Sequence, residues 1–160
     1  MRRVRIRLPE SVGDQLEAEA DHHYPKESGG VLLGFPRPGK RAQIQICEQI
    51  GPGPKAVHLR DRFEPDSDWQ ADRIAERYIE SGRVLAYLGD WHSHPGGTGT
   101  PSALDRSTAR TIARCAEARA PNPLILIVFG RPGRWQIVAY RRGRRFLHAG
   151  ELESNSRPST

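Results

Sequence analysis

Between residues 91 and 105 the chain reads Trp91-His92-Ser93-His94-Pro95-Gly96-Gly97-Thr98-Gly99-Thr100-Pro101-Ser102-Ala103-Leu104-Asp105. Histidine, serine and aspartate are side chains that hold metals and move protons, and here they crowd into one turn-rich segment. His92 and His94 are two residues apart, so on extended backbone they leave the same face. Pro95 discourages the strand from continuing. A short Gly/Thr loop then allows Asp105 to return towards the histidine pair. Two histidines and an aspartate make a three-ligand zinc set that leaves a fourth position for water. Each part alone has a plainer reading. A His-x-His pair also fits partly exposed residues at a strand end, and Ser102-x-x-Asp105 is equally a helix capping box. The two roles of Asp105 are compatible, because a residue in the first helical turn can cap and still face a site.

The elements needed to position these residues can be read on both sides. Arg83 to Trp91 is a near-continuous apolar run that fits a central strand and delivers His92 and His94 at its end. The spacing of Leu104, Thr108, Ile112 and Cys115 predicts a helix over Ser102 to Ala118, broken by Pro121-Asn122-Pro123. Upstream, Val4, Ile6 and Leu8 alternate with arginines as a first strand, and Pro9-Glu10-Ser11 opens a helix that ends near Tyr24-Pro25. Val31 to Phe35 and Ala42 to Cys47 read as a hairpin across Pro36-Arg37-Pro38-Gly39-Lys40. Val57 to Phe63 reads as another strand, and Ser67 or Asp68 as the cap of a helix running to Glu80. Leu124 to Phe129, Trp135 to Tyr140 and Phe146 to His148 complete the strands. Residues 151–160, with one apolar side chain, are expected to form a tail without regular structure after a domain over residues 1–150. The order describes one mixed α/β domain, a central sheet flanked by helices.

Composition narrows the class. The 160 residues carry a net charge of +6, with 36% hydrophobic and 28% charged residues, a globular composition that suits one core. No apolar run reaches the ~20 residues of a bilayer span, and the alternating N-terminus lacks the apolar stretch of a signal peptide. A cytoplasmic location without membrane association is the expectation. The basic balance favours acidic partners in general. Cys47 and Cys115 belong to no Cys-x-x-Cys motif and are expected to be small buried residues, neither a disulfide nor a zinc site. His22 and His23 suit a helix C-terminus, His58 the surface beside a Gly/Pro loop, Trp91 packing at the strand end, and Arg141 to Arg145 a solvated turn.

The combination His-x-His-Pro-x6-Ser-x-x-Asp resembles the signature of the JAMM (JAB1/MPN/Mov34) metalloprotease family. The resemblance implies the JAB1/MPN fold, with His92, His94 and Asp105 as ligands of one zinc ion. It also calls for an upstream glutamate, and Glu27, followed by Ser28-Gly29-Gly30-Val31-Leu32-Leu33-Gly34, fits that element. Zinc lowers the pKa of its water from 15.7 towards ~7. Glu27 is then the candidate to take the water's proton and pass it to the leaving amine. Ser102 is the candidate hydroxyl donor to the oxyanion. The compact chain is similar to bacterial deconjugating peptidases of antiphage operons that encode E1-like and E2-like enzymes. That likeness implies a substrate ending in a ubiquitin-like C-terminus, cleaved at an isopeptide or peptide bond, with nucleic acid not a partner. A metal-free scaffold of the same fold would lack ligands that this chain has. A nucleic-acid-associated relative of the DNA-repair-annotated branch would suit the charge and the Pro95-Gly96-Gly97 loop, but does not account for Glu27-Ser28-Gly29-Gly30. A nucleobase deaminase would need His-x-Glu and Pro-Cys-x-x-Cys, and neither occurs.

Overall fold

Residues 3–39 and 41–155 are described by a computed structural model. Ten strands and three helices follow in chain order: β1 (Arg5–Pro9), α1 (Glu10–His23), β2 (Gly29–Arg37), β3 (Gln43–Ile50), β4 (Val57–His58), β5 (Phe63–Glu64), α2 (Ser67–Glu80), β6 (Ala86–Pro95), α3 (Ala103–Arg114), β7 (Leu124–Gly130), β8 (Gln136–Arg142), β9 (Leu147–Ala149) and β10 (Glu151–Asn155). Eight strands form one sheet in the order β10-β1-β3-β2-β6-β7-β8-β9, and β4 pairs with β5 in a separate hairpin. This is the mixed α/β sheet flanked by helices that the sequence predicts. No helix among the described residues is long and apolar enough to cross a membrane.

The centre of the sheet is apolar on both faces because helices cover both. Leu124, Leu126 and Val128 of β7 join Val12, Leu16 and Ala20 of α1 and Trp91 of β6 in one core cluster. Ile125 and Ile127 point the other way, onto Ala109 of α3. On that same face α2 brings Trp69 and Ile74 against Val31, Leu33, Ile50 and Leu85. Alternation along β6 therefore sends Trp91 and Ser93 into the α1 side and His92 and His94 towards α3. The β6–α3–β7 crossover makes β6 and β7 parallel, with His92 opposite Ile127 and His94 opposite Phe129. Both histidines thus stand at the carboxyl end of a central strand, beside the first turn of the following helix.

Several expectations are corrected. Residues 151–155 are not a tail: they form β10, which pairs in parallel with β1 from Arg5↔Glu151 to Pro9↔Asn155. The single apolar residue, Leu152, packs against the core, and Glu151 and Glu153 meet Arg41, Arg5 and Arg7. Residues 156–160 of that expected tail lie outside the described residues. The strand expected from Val57 to Phe63 is two short strands with a turn between them. Asp66, not Ser67 or Asp68, caps α2, its carboxylate accepting from the Trp69 amide. Helix α3 ends at Arg114 and buries Asp105 and Ala109, while Leu104 and Thr108 of the expected face are exposed, and Cys115 is exposed too, contrary to the buried position expected of it. Cys47 is half-buried, and both cysteines are free.

Candidate metal centre

The histidines owe their orientation to the end of β6 and to the loop that follows. His94 Nδ1–H donates to the Thr98 carbonyl at 2.9 Å, which leaves Nε2 as the ligating atom. The loop is tied down in turn: Gly97 N–H donates to the His94 carbonyl at 3.1 Å, Gly96 N–H to Gly130 at 2.6 Å, and the Tyr140 hydroxyl to Gly99 at 2.7 Å. Asp105 arrives from the first turn of α3. Ser102 is the N-cap; its hydroxyl accepts from Asp105 N–H at 3.1 Å while Asp105 Oδ2 accepts from Ser102 N–H at 2.6 Å. The capping box is therefore present, and it leaves Asp105 turned towards the histidines.

His92 Nε2 lies 3.0 Å from His94 Nε2 and 2.9 Å from Asp105 Oδ1, and His94 Nε2 lies 3.4 Å from Asp105 Oδ2. Ligands bound tetrahedrally at ~2.0–2.1 Å stand ~3.3 Å apart, so the three atoms fit one small divalent ion with little rearrangement. Among the described residues this is the one such cluster. Burial raises the Asp105 carboxyl, but hydrogen bonds with the two imidazoles outweigh burial and hold it well below the usual carboxylate range. Burial disfavours charge on His94, yet its bonds to Asp105 and Thr98 raise it overall. The trio sets an ionised aspartate against two imidazoles, contacts that a cation would replace by direct ligation.

Glu27 enters across the sheet. Antiparallel pairing sets Gly29 opposite His92 and Gly30 opposite Trp91. One step further, Ser28 N–H donates to Ser93 Oγ at 2.9 Å and Ser93 N–H to the Ser28 carbonyl at 2.8 Å, both serines being fully buried. This pair fixes the backbone immediately next to Glu27. The β4–β5 hairpin fixes its other side: Glu27 N–H donates to the Leu59 carbonyl at 2.8 Å, and the Glu27 carbonyl accepts from His58 Nδ1–H at 2.9 Å. The His58 ring stacks on His23 with centroids 3.5 Å apart, and His23 Nε2 lies 2.9 Å from Glu19 Oε1, an oxygen that also accepts from Ser28 Oγ. Gly29 and Gly30 are dictated by packing: a Cβ at Gly30 would lie 2.0 Å from the Ile50 carbonyl oxygen, and one at Gly29 2.6 Å from that of Trp91.

Glu27, His92 and Asp105 share a cleft of about 310 Å³, walled by Phe63 of β5 and by Leu104 and Ile112 of α3. Burial pushes the Glu27 carboxyl above the usual range, opposed by His92 and His94 and reinforced by Asp105. Asp90 also borders this cleft and accepts from the Tyr87 hydroxyl at 2.6 Å; burial raises both groups. The four residues expected to cooperate, Glu27, His92, His94 and Asp105, are brought together. Ser102 stands one turn away on an exposed cap, its O–H proton uncommitted. Trp91 is 1% exposed and packs in the core, as expected of it. His58 was expected at the surface, and its hold on Glu27 went unpredicted. Nothing in the local sequence signals it, because the contact depends on a hairpin of two-residue strands.

Residues 9–142 match the family of prokaryotic homologues of the JAB domain. The chain belongs to this Prok-JAB family. Among its relatives is a protein of Sinorhizobium fredii named as a probable metalloprotease, 39% identical over 131 residues, covering 81% of this chain and 79% of the relative. Another, named as a CD-NTase/cGAS isopeptidase, is from Vibrio cholerae; it is 32% identical over 115 residues, 71% of this chain and 68% of that protein. An Escherichia coli protein of the same name is 30% identical over 116 residues, 71% of this chain and 68% of that one. The fold agrees with a solution structure of a protein from Desulfitobacterium hafniense, at a TM-score of 0.70 and 20% identity over 95% of this chain and 94% of that one. The matched span contains the His-x-His strand end, the Ser-x-x-Asp helix start and the glutamate before β2.

Proposed function

We propose that the protein is a zinc-dependent JAMM-type isopeptidase that hydrolyses the bond after the C-terminus of a ubiquitin-like protein, in deconjugation or precursor processing. The observation that carries this reading is the convergence of His92 Nε2, His94 Nε2 and an Asp105 oxygen at the edge of a cleft that Glu27, His92 and Asp105 line. The relatives named as metalloprotease and isopeptidase support it. An imidazole–imidazole–carboxylate set suits zinc. A zinc ion there would act as Lewis acid and lower the pKa of a water molecule.

The chain's own residues do the rest. Glu27, half-buried and of raised proton affinity, accepts the proton of the attacking water and returns it to the amine that leaves. The hairpin and the Ser28–Ser93 pair hold that carboxylate still, since misplacement of a base forfeits much of its effect. Ser102 O–H is the proposed donor to the oxyanion. A flexible, glycine-rich tail would lie extended between β5 and α3, where Leu104 is 58% exposed and Phe63 offers an apolar wall. A place beside E1-like and E2-like enzymes and a cytoplasmic site of action belong to the same proposal and follow from the resemblance of the sequence. The test is incubation of zinc-loaded protein with the ubiquitin-like protein encoded in its genomic neighbourhood, fused to a reporter. Release of the reporter at the ubiquitin-like C-terminus is expected; no cleavage with full zinc loading counts against this substrate class.

A further inference from the structure

The arginine run at 141–145 has no part in the cleft. Arg141 and Arg142 end β8, and Arg144 and Arg145 lie in the turn before β9. Between this turn, Asn122 and the segment Arg3–Val4 opens a cavity of about 500 Å³, larger than the one at the histidines. Its ionisable lining is Arg3, Arg141, Arg142, Arg144 and His148, with no carboxylate among the lining residues. Arg141 stands directly opposite His148 in the β8–β9 ladder, so their side chains leave the same face.

The neighbouring strands show how unusual that balance is. Arg5 and Arg7 have Glu153 at 3.3 and 3.8 Å, and Arg41 has Glu151 at 2.6 Å. Those pairs use the acids of β10. Arg3, Arg141, Arg142 and Arg144 form no salt bridge among the described residues. Like charges without a counterion repel across the cavity, and an anion would relieve that repulsion.

We propose that this cavity is an oligophosphate-binding site. Guanidinium forks match phosphate oxygens in pairs, and several neighbouring arginines suit a ligand with several charges rather than a lone carboxylate. The volume is that of a small-molecule site. It is also separate from the cleft, with which it shares no lining residue. On β7, Arg141 pairs with Leu124 and His92 with Ile127, three residues and about 10 Å further along the strand. The phosphates belong either to a free phosphate chain or to a nucleotide, whose nucleoside would then meet Asn122, Val4 and Leu147.

The experiment is calorimetric titration of the full chain with tripolyphosphate, pyrophosphate and ADP at fixed salt. Saturable 1:1 binding of tripolyphosphate is expected, weakened at least tenfold by Arg141→Gln and by Arg144→Gln and changed less than twofold by Arg106→Gln on α3. Arg144 is exposed, so its variant tests the site without a folding penalty. Thermal melts of Arg141→Gln check the other. His92→Ala must bind as well as wild type, which separates this site from phosphate contact with a metal. ADP tighter than pyrophosphate assigns the site to nucleotides; equal affinity assigns it to the phosphate chain. No saturable binding, unchanged affinity in both arginine variants, or loss of binding in His92→Ala overturns the proposal.

Discussion

Ser102 has a cap role in the structure and a proposed catalytic one, and one pair of substitutions separates them. As N-cap its hydroxyl accepts from Asp105 N–H at 3.1 Å, and as catalyst its O–H would donate to the oxyanion. Ser102→Ala removes both, and loss of an N-cap side chain costs about 1 kcal/mol. Ser102→Gly removes the hydroxyl as completely, but at an N-cap costs only a few tenths of a kcal/mol. In a chain of this size 1 kcal/mol corresponds to roughly 2–4 °C in Tm, so Ala should melt a few degrees lower and Gly close to wild type. Removal of one oxyanion donor costs about 10²–10³ in kcat. If Ser102 is such a donor, Ala and Gly lose turnover equally while differing in stability, and both retain metal. Denaturant unfolding, metal content and turnover on a ubiquitin-like fusion give the three readouts. Turnover of Ser102→Gly within about twofold of wild type would reduce Ser102 to a cap.

Other perturbations follow from the same geometry. His58→Ala takes away the donor to the Glu27 carbonyl and the ring stacked on His23; kcat should fall roughly tenfold with KM little changed, in keeping with a misplaced base, and His58→Asn should recover part of it. Gly30→Ala drives a Cβ against the Ile50 carbonyl, so a loss of about 2 kcal/mol or more is expected from overpacking a backbone contact, read by denaturant midpoint. In metal-free protein, Glu27 has a raised pKa in the fold, so the native state binds more protons than the unfolded chain. Stability relative to Glu27→Gln should then decline as pH rises from the ordinary glutamate range through the raised value; parallel pH-dependent melts of the two proteins that never diverge would contradict the burial argument. Tyr87→Phe leaves Asp90 without its donor and should lower stability by roughly 1–3 kcal/mol.

The clustering of His92, His94 and Asp105 was legible because its spacing is local. His92 and His94 share a face through strand alternation, and Ser102 and Asp105 are bound by the helix start itself. The strand that delivers the histidines and the apolar β7 were legible for the same reason, their patterns being complete within one segment. Glu27 is different. Its place beside the histidines comes from the β2–β6 register and from a buried serine pair 65 residues apart, which no local pattern encodes; only the family resemblance singled it out. The double glycine after it answers to the Ile50 and Trp91 carbonyls, again across the sheet. Strand β10 escaped detection because an edge strand needs only one buried residue, Leu152, and its acids find partners only when β1 and Arg41 lie alongside. His58 escaped because its partner is a backbone carbonyl on another element.

The central claim is that Glu27 works on what His92, His94 and Asp105 hold. Its most direct test is turnover of a ubiquitin-like fusion by Glu27→Gln protein whose zinc content is measured on the same sample. Wild-type zinc with turnover lost is the expected result, in contrast to His92→Ala and Asp105→Ala, which should lose the metal itself. Turnover retained by fully zinc-loaded Glu27→Gln would contradict the account.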